Sequence, residues 1–501
     1  MYPICNFDIL GMEDRMITYI ATFTHNYTIV LIFNLIFSII IISLERRNPI
    51  SALAWLFFMT MLPGIGFFFY LLLSQNISKR KIFKYTHEES AAYNFVLDKE
   101  RSAFEKGLFK YKDPDMDVYR DIIIFHNKLS EASFTQNNDI TIFTNGQEKF
   151  DRLIAEMKEA KSHIHLQYYI VKNDMLSSLI FDICRQKANE GVEIRLLIDH
   201  IGGRHLPKST IKDLKEVGCE VYFFFPSIFK YFNLKANYRN HRKIAVIDGR
   251  IGYVGGFNIG MEYLGLRKRF GKWRDTHLRI LGDAVNQLQI RFLLDWRSAS
   301  KKQLIDIAQY IKYNEDQPGD AGVQIVSSGP DSINQQIKQG YIKMINSARK
   351  YIYIQTPYFV PDESVIEALK IAVVSGIDLR IMFPNKPDHP FVYWATYSFI
   401  GELLMYGARA YIYDDGFIHT KAIIVDDVIS SVGTCNFDIR SFRLNFEVNA
   451  FIYDKPTSQT LRSIFNQDIL VSRELTLEDY LQRPLTIKIK ESISRLFSPV
   501  L

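Results

Sequence analysis

At 501 residues, 48% of them hydrophobic, the chain is long enough for more than one domain-sized unit with its own core. Its net charge of +6 favours anionic partners without specifying them, and it argues against a long basic nucleic-acid groove without excluding one. The four cysteines, Cys5, Cys184, Cys219 and Cys435, are scattered without a Cys-x-x-Cys pair. They indicate neither a disulfide framework nor a zinc site, and they fit a reducing compartment for the main body.

Two apolar runs follow a short N-terminal segment (1–26). Tyr27 to Leu44 and Ile50 to Leu73 carry no charge, and each is long enough to cross a hydrocarbon core of about 30 Å as a helix. The polar connector Glu45-Arg46-Arg47-Asn48-Pro49 makes them a transmembrane hairpin, 27–73, with spans 27–44 and 50–73. Pro63, Gly64 and Gly66 leave a kinked or re-entrant second run open. Arg15, Lys79, Arg80, Lys81 and Lys84 outnumber Arg46 and Arg47, which puts both termini in the cytoplasm. Residues 74–107 read as a basic linker.

From Leu108 the pattern turns globular and then repeats. Ala160 to Tyr169 is answered by Ala348 to Tyr358. Glu190 to Asp199 is answered by Ser375 to Pro384, and Val217 to Phe223 by Tyr406 to Ile412. Helix-like segments (Phe150 to Lys161, Leu179 to Asn189) alternate with short apolar strands (Ile164 to Ile170, Val192 to Ile198), the signature of an α/β layer. The layout is one α/β domain over 108–300, a linker over 301–320, a duplicate over 321–480 and an amphipathic tail over 481–501.

Each half closes on the same four-residue pattern. His241, Lys243, Asp248 and Asn258 recur as His419, Lys421, Asp426 and Asn436 with identical spacing. Lys243 to Ile247 and Lys421 to Val425 read as buried strands. Asp248-Gly249 and Asp426-Asp427 read as hairpin turns, and Ile251 to Val254 and Val428 to Val432 as the returning strands. Histidine and lysine, two apart on a strand, share a face, and the asparagine returns beside them. An imidazole is a good nucleophile at phosphorus, and ammonium and amide groups suit non-bridging phosphate oxygens. One copy is half a site. Two copies put a nucleophile and a general acid on opposite sides of one phosphorus. Two lysines neutralise a diester, and no metal-ligand spacing or cofactor motif is visible.

These paired motifs resemble those of the phospholipase D superfamily. Within it, the hairpin, Trp273-Arg274-Asp275-Thr276-His277, Ser328-Gly329-Pro330-Asp331 and the tail from Arg483-Pro484-Leu485 resemble the bacterial cardiolipin synthases. The resemblance implies two duplicated α/β domains with central mixed sheets behind a membrane hairpin. It also implies a phosphatidyltransferase of the bacterial cell membrane, its catalytic domains on the cytoplasmic side. That enzyme joins two phosphatidylglycerols into cardiolipin plus glycerol through a phosphohistidine, with membrane phospholipids as partners and no nucleic acid. The motif residues His241, Lys243, Asp248, His419, Lys421 and Asp426 form the catalytic set, although the turn position of the two aspartates also reads as scaffold. Asn258 and Asn436 would bind phosphate. Glu447 would orient one imidazole through its Nδ1–H and Asp275 the other. By sequence the two histidines are symmetric; by resemblance His241 is the nucleophile and His419 the general acid and base. Thr434 stands where the first copy has Gly256, so only the second copy offers a hydroxyl donor. Hydrolysis of a phosphodiester and a non-enzymatic lipid scaffold are the competing readings.

Two flanking stretches fit a lipid substrate. Arg267, Lys268, Arg269, Lys272 and Arg274 cluster around Phe270 and Trp273. In the tail, Leu485, Ile489, Ile493, Leu496, Phe497 and Val500 fall near one helical face, with Lys488, Lys490 and Arg495 off it. Packing of that helix onto the body is the alternative.

Overall fold

The computed structural model describes residues 28–43, 49–63, 65–73, 82–83, 85–226, 238–266, 271–301, 306–312, 318–386 and 388–498. The hairpin connector 45–48, the lysines and arginine at 79–81 and 84, Val500, and Arg267 to Phe270 lie outside them. The described residues form two units. One is the hairpin, and the other holds both repeats and the tail.

Within the hairpin unit, residues 28–43 are helical and the second run is two helices, Pro49–Met61 and Ile65–Leu73. The second run, 50–73, is therefore broken at the bend that Pro63, Gly64 and Gly66 left open. Among the described residues no helix is long and apolar enough to cross a membrane. The break has a local cause. Pro63 has no N–H to give to the Met59 carbonyl four residues back. That carbonyl instead accepts a hydrogen bond from the buried Asn34 side chain at 2.9 Å. Gly66 then passes so close to Met59 that a Cβ there would lie 2.8 Å from its Cα. The helices turn back, and Trp55 meets Tyr70 edge to face with ring centroids 5.4 Å apart.

In the body, the first repeat contributes strands β1 (Thr135–Phe143), β2 (His163–Tyr168), β3 (Glu193–Asp199), β4 (Glu220–Phe224), β5 (Arg239–Asn240), β6 (Ile244–Ile247), β7 (Ile251–Gly255), β8 (Trp273–Arg274) and β9 (His277–Leu281). The second contributes β10 (Ala321–Ser328), β11 (Tyr351–Gln355), β12 (Phe359–Val360), β13 (Asp378–Pro384), β14 (Arg409–Tyr413), β15 (Phe417–Ile418), β16 (Ala422–Val425), β17 (Ile429–Gly433), β18 (Phe437–Asp438), β19 (Asn445–Tyr453) and β20 (Ser472–Leu475).

The sheet order is β20-β14-β13-β11-β16-β17-β19-β10-β1-β9-β7-β6-β2-β3-β4. Read outward from the antiparallel β1–β10 pair, each half repeats the other, and only the edge strand β20 is extra. Each half is mixed as expected, with β2-β3-β4 and β11-β13-β14 parallel and the strands between them antiparallel. The expectation of separate sheets is corrected: the halves share one sheet.

Alternation along the motif strands sorts the two faces. Ala245 and Ile247 of β6 pack with Phe150 and Ile180 of helices Gly146–Glu159 and Met175–Asn189. Ile244 and Val246 pack with Val285 and Leu288 of helix Ala284–Ser300. In the second half, Ile423 and Val425 pack with Ile337 and Met344, and Ala422 and Ile424 with Leu461 and Phe465. The stretch read as a basic linker also holds structure. Helix His87–Glu105 starts at a capping box between Thr86 and Glu89, and Glu89 pairs with the half-buried Arg297 of the body.

The motif aspartates sit at the far end of their strands. Asp248 and Gly249 both have positive φ, as do Asp426 and Asp427, so both turns are of the primed type that hairpins favour. The Asp248 carboxylate accepts backbone N–H bonds from Lys161, Ser162 and His163, and Asp426 accepts from Arg349, Lys350 and Tyr351. Each aspartate ties its hairpin to the start of β2 or β11. Seven residues of strand put it on the order of 20 Å from its histidine, which supports the scaffold reading of their turn position over a place in the catalytic set. Asp248→Ala and Asp426→Ala are each expected to cost about 2–3 kcal/mol of stability, from three orphaned donors and a non-glycine left-handed residue. Denaturant unfolding measures the cost. Turnover per folded molecule is expected to stay at the parent level, and a lost kcat in folded Asp248→Ala would return the residue to the chemistry.

Candidate active site

The same alternation builds the site. His241 and Lys243 extend the β6 face that carries Ala245, and His419 and Lys421 extend the β16 face that carries Ile423. Both lysines are fully buried, and each histidine keeps 9% of its surface open. Lys243 donates to the His241 carbonyl at 2.7 Å, and Lys421 donates to the carbonyl of His419.

Each imidazole is held by a carboxylate of the other half. His241 donates from Nδ1 to Glu447 at 2.9 Å, and His419 donates from Nδ1 to Asp275 at 2.7 Å. Two short parallel pairings impose this crossing. β5 runs beside the start of β19 with Asn240 opposite Phe446, so the next residues, His241 and Glu447, fall together. β15 runs beside β8 with Ile418 opposite Arg274, so His419 meets Asp275. Backbone bonds lock both registers: His241 N–H donates to the Phe446 carbonyl at 2.9 Å, and His419 N–H donates to the Arg274 carbonyl at 2.7 Å. A carboxylate can only accept, so it favours the proton on Nδ1 and leaves the Nε2 lone pair of each ring for chemistry; Lys421 Nζ also lies 2.8 Å from His419 Nδ1.

The remaining expected residues divide. Asn258 uses its carbonyl on the Ile170 N–H at 3.0 Å and reaches Tyr263 with its amide at 3.3 Å, so it braces the loop after β7. Asn436 keeps a buried side-chain carbonyl without a hydrogen-bond partner. Thr434 spends its hydroxyl on Glu447 at 2.5 Å, not on an open phosphate position. Gly256 has no such room, because a Cβ there would lie 1.9 Å from Asp275 Oδ1. Trp273 and Arg274, expected in a lipid-facing patch, are buried instead. Arg274 forms an ion pair with Asp468 at 2.8 Å, and the Trp273 ring lies 5.2 Å from that of His419.

Comparison with known proteins agrees with this geometry. The family model described as "Cardiolipin synthase, PLD-like domain" matches residues 153–269 and 341–469, which bracket the two motifs, and "Phospholipase_D-nuclease N-terminal" matches 30–75. The chain is 51% identical over 475 residues to the cardiolipin synthase of Oceanobacillus iheyensis, covering 94% of this chain and 98% of that one. The chain belongs to the cardiolipin synthase family. It is also 50% identical over 470 residues to the major cardiolipin synthase of Bacillus subtilis, with the same coverage. The crystal structure of phosphatidylserine synthase from Haemophilus influenzae aligns over 76% of this chain and all of its own with a TM-score of 0.59. At 17% identity that match speaks for the fold alone.

Beneath the histidines of this cardiolipin synthase family member lies a polar layer that the motif reading missed. Arg242 points away from His241 and meets Asp295 at 2.7 Å, and Gln167 donates to the same carboxylate at 2.5 Å. In the other half Arg274 and Gln355 converge on Asp468. The arginine comes from its own half in one layer and from the opposite half in the other. A signal was present: Gln167 and Gln355 occupy matching positions, and Phe292-x-x-Asp295 is echoed by Phe465-x-x-Asp468.

Burial depresses both lysines. Lys243 falls to about 7 despite Glu447, and Lys421 to about 8 despite Asp275. Burial also pulls His419 down to about 4, aided by Lys421, and lowers His241 against the pull of Glu447. The carboxylates move the other way. Burial opposes their charge, but Lys421 and His419 hold Asp275 below its ordinary range, and His241 and Lys243 do the same for Glu447. A depressed lysine is cationic only below its lowered pKa, so the empty site loses positive charge as pH rises through 7 to 8. A bound anion favours the charged form and is therefore held more weakly at higher pH. The expected outcome is a KM for anionic substrate that climbs between pH 7 and 9, approaching about tenfold per pH unit at the upper end for each lysine that must be cationic in the complex. Steady-state kinetics across that window check it, and a flat KM would mean both lysines keep ordinary pKa values.

Proposed function

We propose that the chain transfers a phosphatidyl group from one phosphatidylglycerol to another, giving cardiolipin and glycerol. The observation that supports this most is the crossed pair of carboxylate-held imidazoles, each with its own buried lysine. The anionic diester, once bound, favours the charged form of His419, which then carries a proton on Nε2 as well as Nδ1. His241 Nε2 attacks phosphorus, and the bond to the glycerol oxygen breaks as His419 gives up that Nε2 proton. Neutral His419 then takes the proton from a hydroxyl of the second phosphatidylglycerol. That oxygen attacks phosphorus, and the P–N bond to His241 breaks. Lys243 and Lys421 offset the charge that builds on the non-bridging oxygens.

The proposal extends to the membrane. Ile32, Phe33, Leu35, Leu53, Phe57 and Phe68 are each more than half exposed on the hairpin unit, an apolar exterior that suits lipid. We infer that the hairpin enters the cell membrane as a bent helical unit, with the catalytic body on the cytoplasmic side as the arginine and lysine distribution favours. Incubating purified protein with phosphatidylglycerol as sole lipid tests the reaction. Cardiolipin and glycerol are expected in equal amounts, and phosphatidic acid in place of cardiolipin would make the enzyme a hydrolase.

A further inference from the structure

The C-terminal helix Leu485–Leu496 is docked with the wrong side out for a helix in water. Its apolar residues recur at helical spacing and would ordinarily face the core. Here the face turned to the body is polar. Glu491 and Ser494 are buried, and Glu491 is clamped by Arg483 at 2.7 and 2.9 Å and by the Tyr480 hydroxyl at 3.2 Å. Arg495 pairs with Glu402 and lies over the Phe399 ring at 4.3 Å.

The opposite face is left uncovered. Leu485 is 70% exposed, Ile489 49%, Ile493 47%, Leu496 76% and Phe497 48%. At 100° per residue these five span an arc of about 120°, and the docked residues sit across the axis from them. Phe391 of helix Pro390–Leu404 is also exposed and meets Phe497 edge to face, so the apolar patch runs beyond the helix. Lys488 and Lys490 are exposed and border the stripe on either side.

We propose that this helix rests in the surface of an anionic lipid bilayer through its apolar stripe, as a second contact of the body with the membrane. An apolar stripe between two lysines complements acyl chains below and headgroup phosphates above. A second copy of the chain would bring Lys488 and Lys490 against their own counterparts, which disfavours self-pairing. The polar docking contacts fix the helix to the body, so its contact with the bilayer sets the height of the body over the lipid. The choice of a bilayer as occupant rests on the lipid substrate proposed above.

The test reads position and is independent of turnover. In full-length protein reconstituted into phosphatidylcholine–phosphatidylglycerol vesicles, Ile489→Cys and Ile493→Cys carry an environment-sensitive fluorophore. Glu148→Cys, exposed on another helix, is the control. Lipids brominated on the acyl chains are expected to quench the two helix labels severalfold and leave the control unchanged. No quenching at 489 and 493 would overturn the proposal, as would disulfide cross-linking between copies through Ile489→Cys. A folded Ile489→Ser/Leu496→Ser variant is expected to lose about tenfold of its activity on vesicles and none on short-chain phosphatidylglycerol in micelles; equal loss in both would also overturn it. Failure of the cardiolipin assay with quenching intact would count against the reaction, not against this surface.

Discussion

His241→Asn is expected to reduce cardiolipin formation about 10⁵-fold or more, and His419→Asn about 10²–10⁴-fold. The gap follows from the roles. Without a nucleophile no covalent intermediate forms, and what remains is positioning and charge stabilisation by the two lysines. Without the acid, attack can still occur, but the glycerol oxygen must leave unprotonated. The distinguishing measurement is a rapidly quenched phosphoryl adduct that is lost in acid and kept in base, as a P–N bond requires. His419→Asn is expected to accumulate label on His241 when the donor carries a good leaving group, because such a group needs no proton. His241→Asn is expected to accumulate none with any donor. Label on His419 in the His241→Asn protein would exchange the two assignments. Each imidazole keeps only 9% of its surface open and holds a fully buried carboxylate, so denaturant unfolding of each variant accompanies the kinetics and the losses are read per folded molecule.

Much of this site is local and was therefore readable. The spacing of His241, Lys243 and Asp248 depends only on strand alternation and a two-residue turn, and the second copy made chance an inadequate explanation. The helix starting at Thr86 was readable too, since its capping box is a local pattern, yet the basic composition around it suggested a linker. What the chain order could not disclose depends on pairing between distant strands. Glu447 and Asp275 stand out as carboxylates near the motifs, but which imidazole each serves is decided by β5 beside β19 and β8 beside β15. These pairings join residues about 200 and 145 positions apart. Arg274 shows the same limit from another side. Its neighbours are basic and aromatic, which suggested a lipid-facing patch, but its charge is spent on Asp468. Composition records charges, whereas only the fold tells which of them are paired. The second apolar run was marked for a bend by Pro63, and the structure adds where the freed carbonyl goes, to Asn34.

The crossed carboxylates carry the second large expectation, and it is asymmetric. Asp275 accepts the Thr276 backbone N–H on Oδ1 at 2.8 Å and His419 on Oδ2 at 2.7 Å. In Asp275→Asn the backbone donor cannot change, so the side-chain oxygen must stay on it and the new NH₂ must face His419. That NH₂ donates to Nδ1 and drives the imidazole proton to Nε2, the position that has to accept and deliver protons. Glu447 has a more adaptable neighbour. The Thr434 hydroxyl beside it can rotate, and it already accepts from the Val448 N–H at 2.9 Å and lies 3.2 Å from the Val448 carbonyl. In Glu447→Gln the NH₂ can turn to Thr434 while the oxygen keeps the His241 Nδ1–H, so the tautomer survives and only the charge is lost. Asp275→Asn is therefore expected to lose about 10³–10⁴-fold in kcat, and Glu447→Gln about 10–100-fold. The two should also fail at different stages. Glu447→Gln slows formation of the His241 adduct with every donor. Asp275→Asn slows adduct formation with phosphatidylglycerol, is rescued at that step by a donor with a good leaving group, and then stalls at transfer to the second phosphatidylglycerol. Equal losses in the two variants would refute the tautomer argument. Rescue of Glu447→Gln in place of Asp275→Asn would mean that the acid is His241, because the carboxylate of the second half serves the histidine of the first.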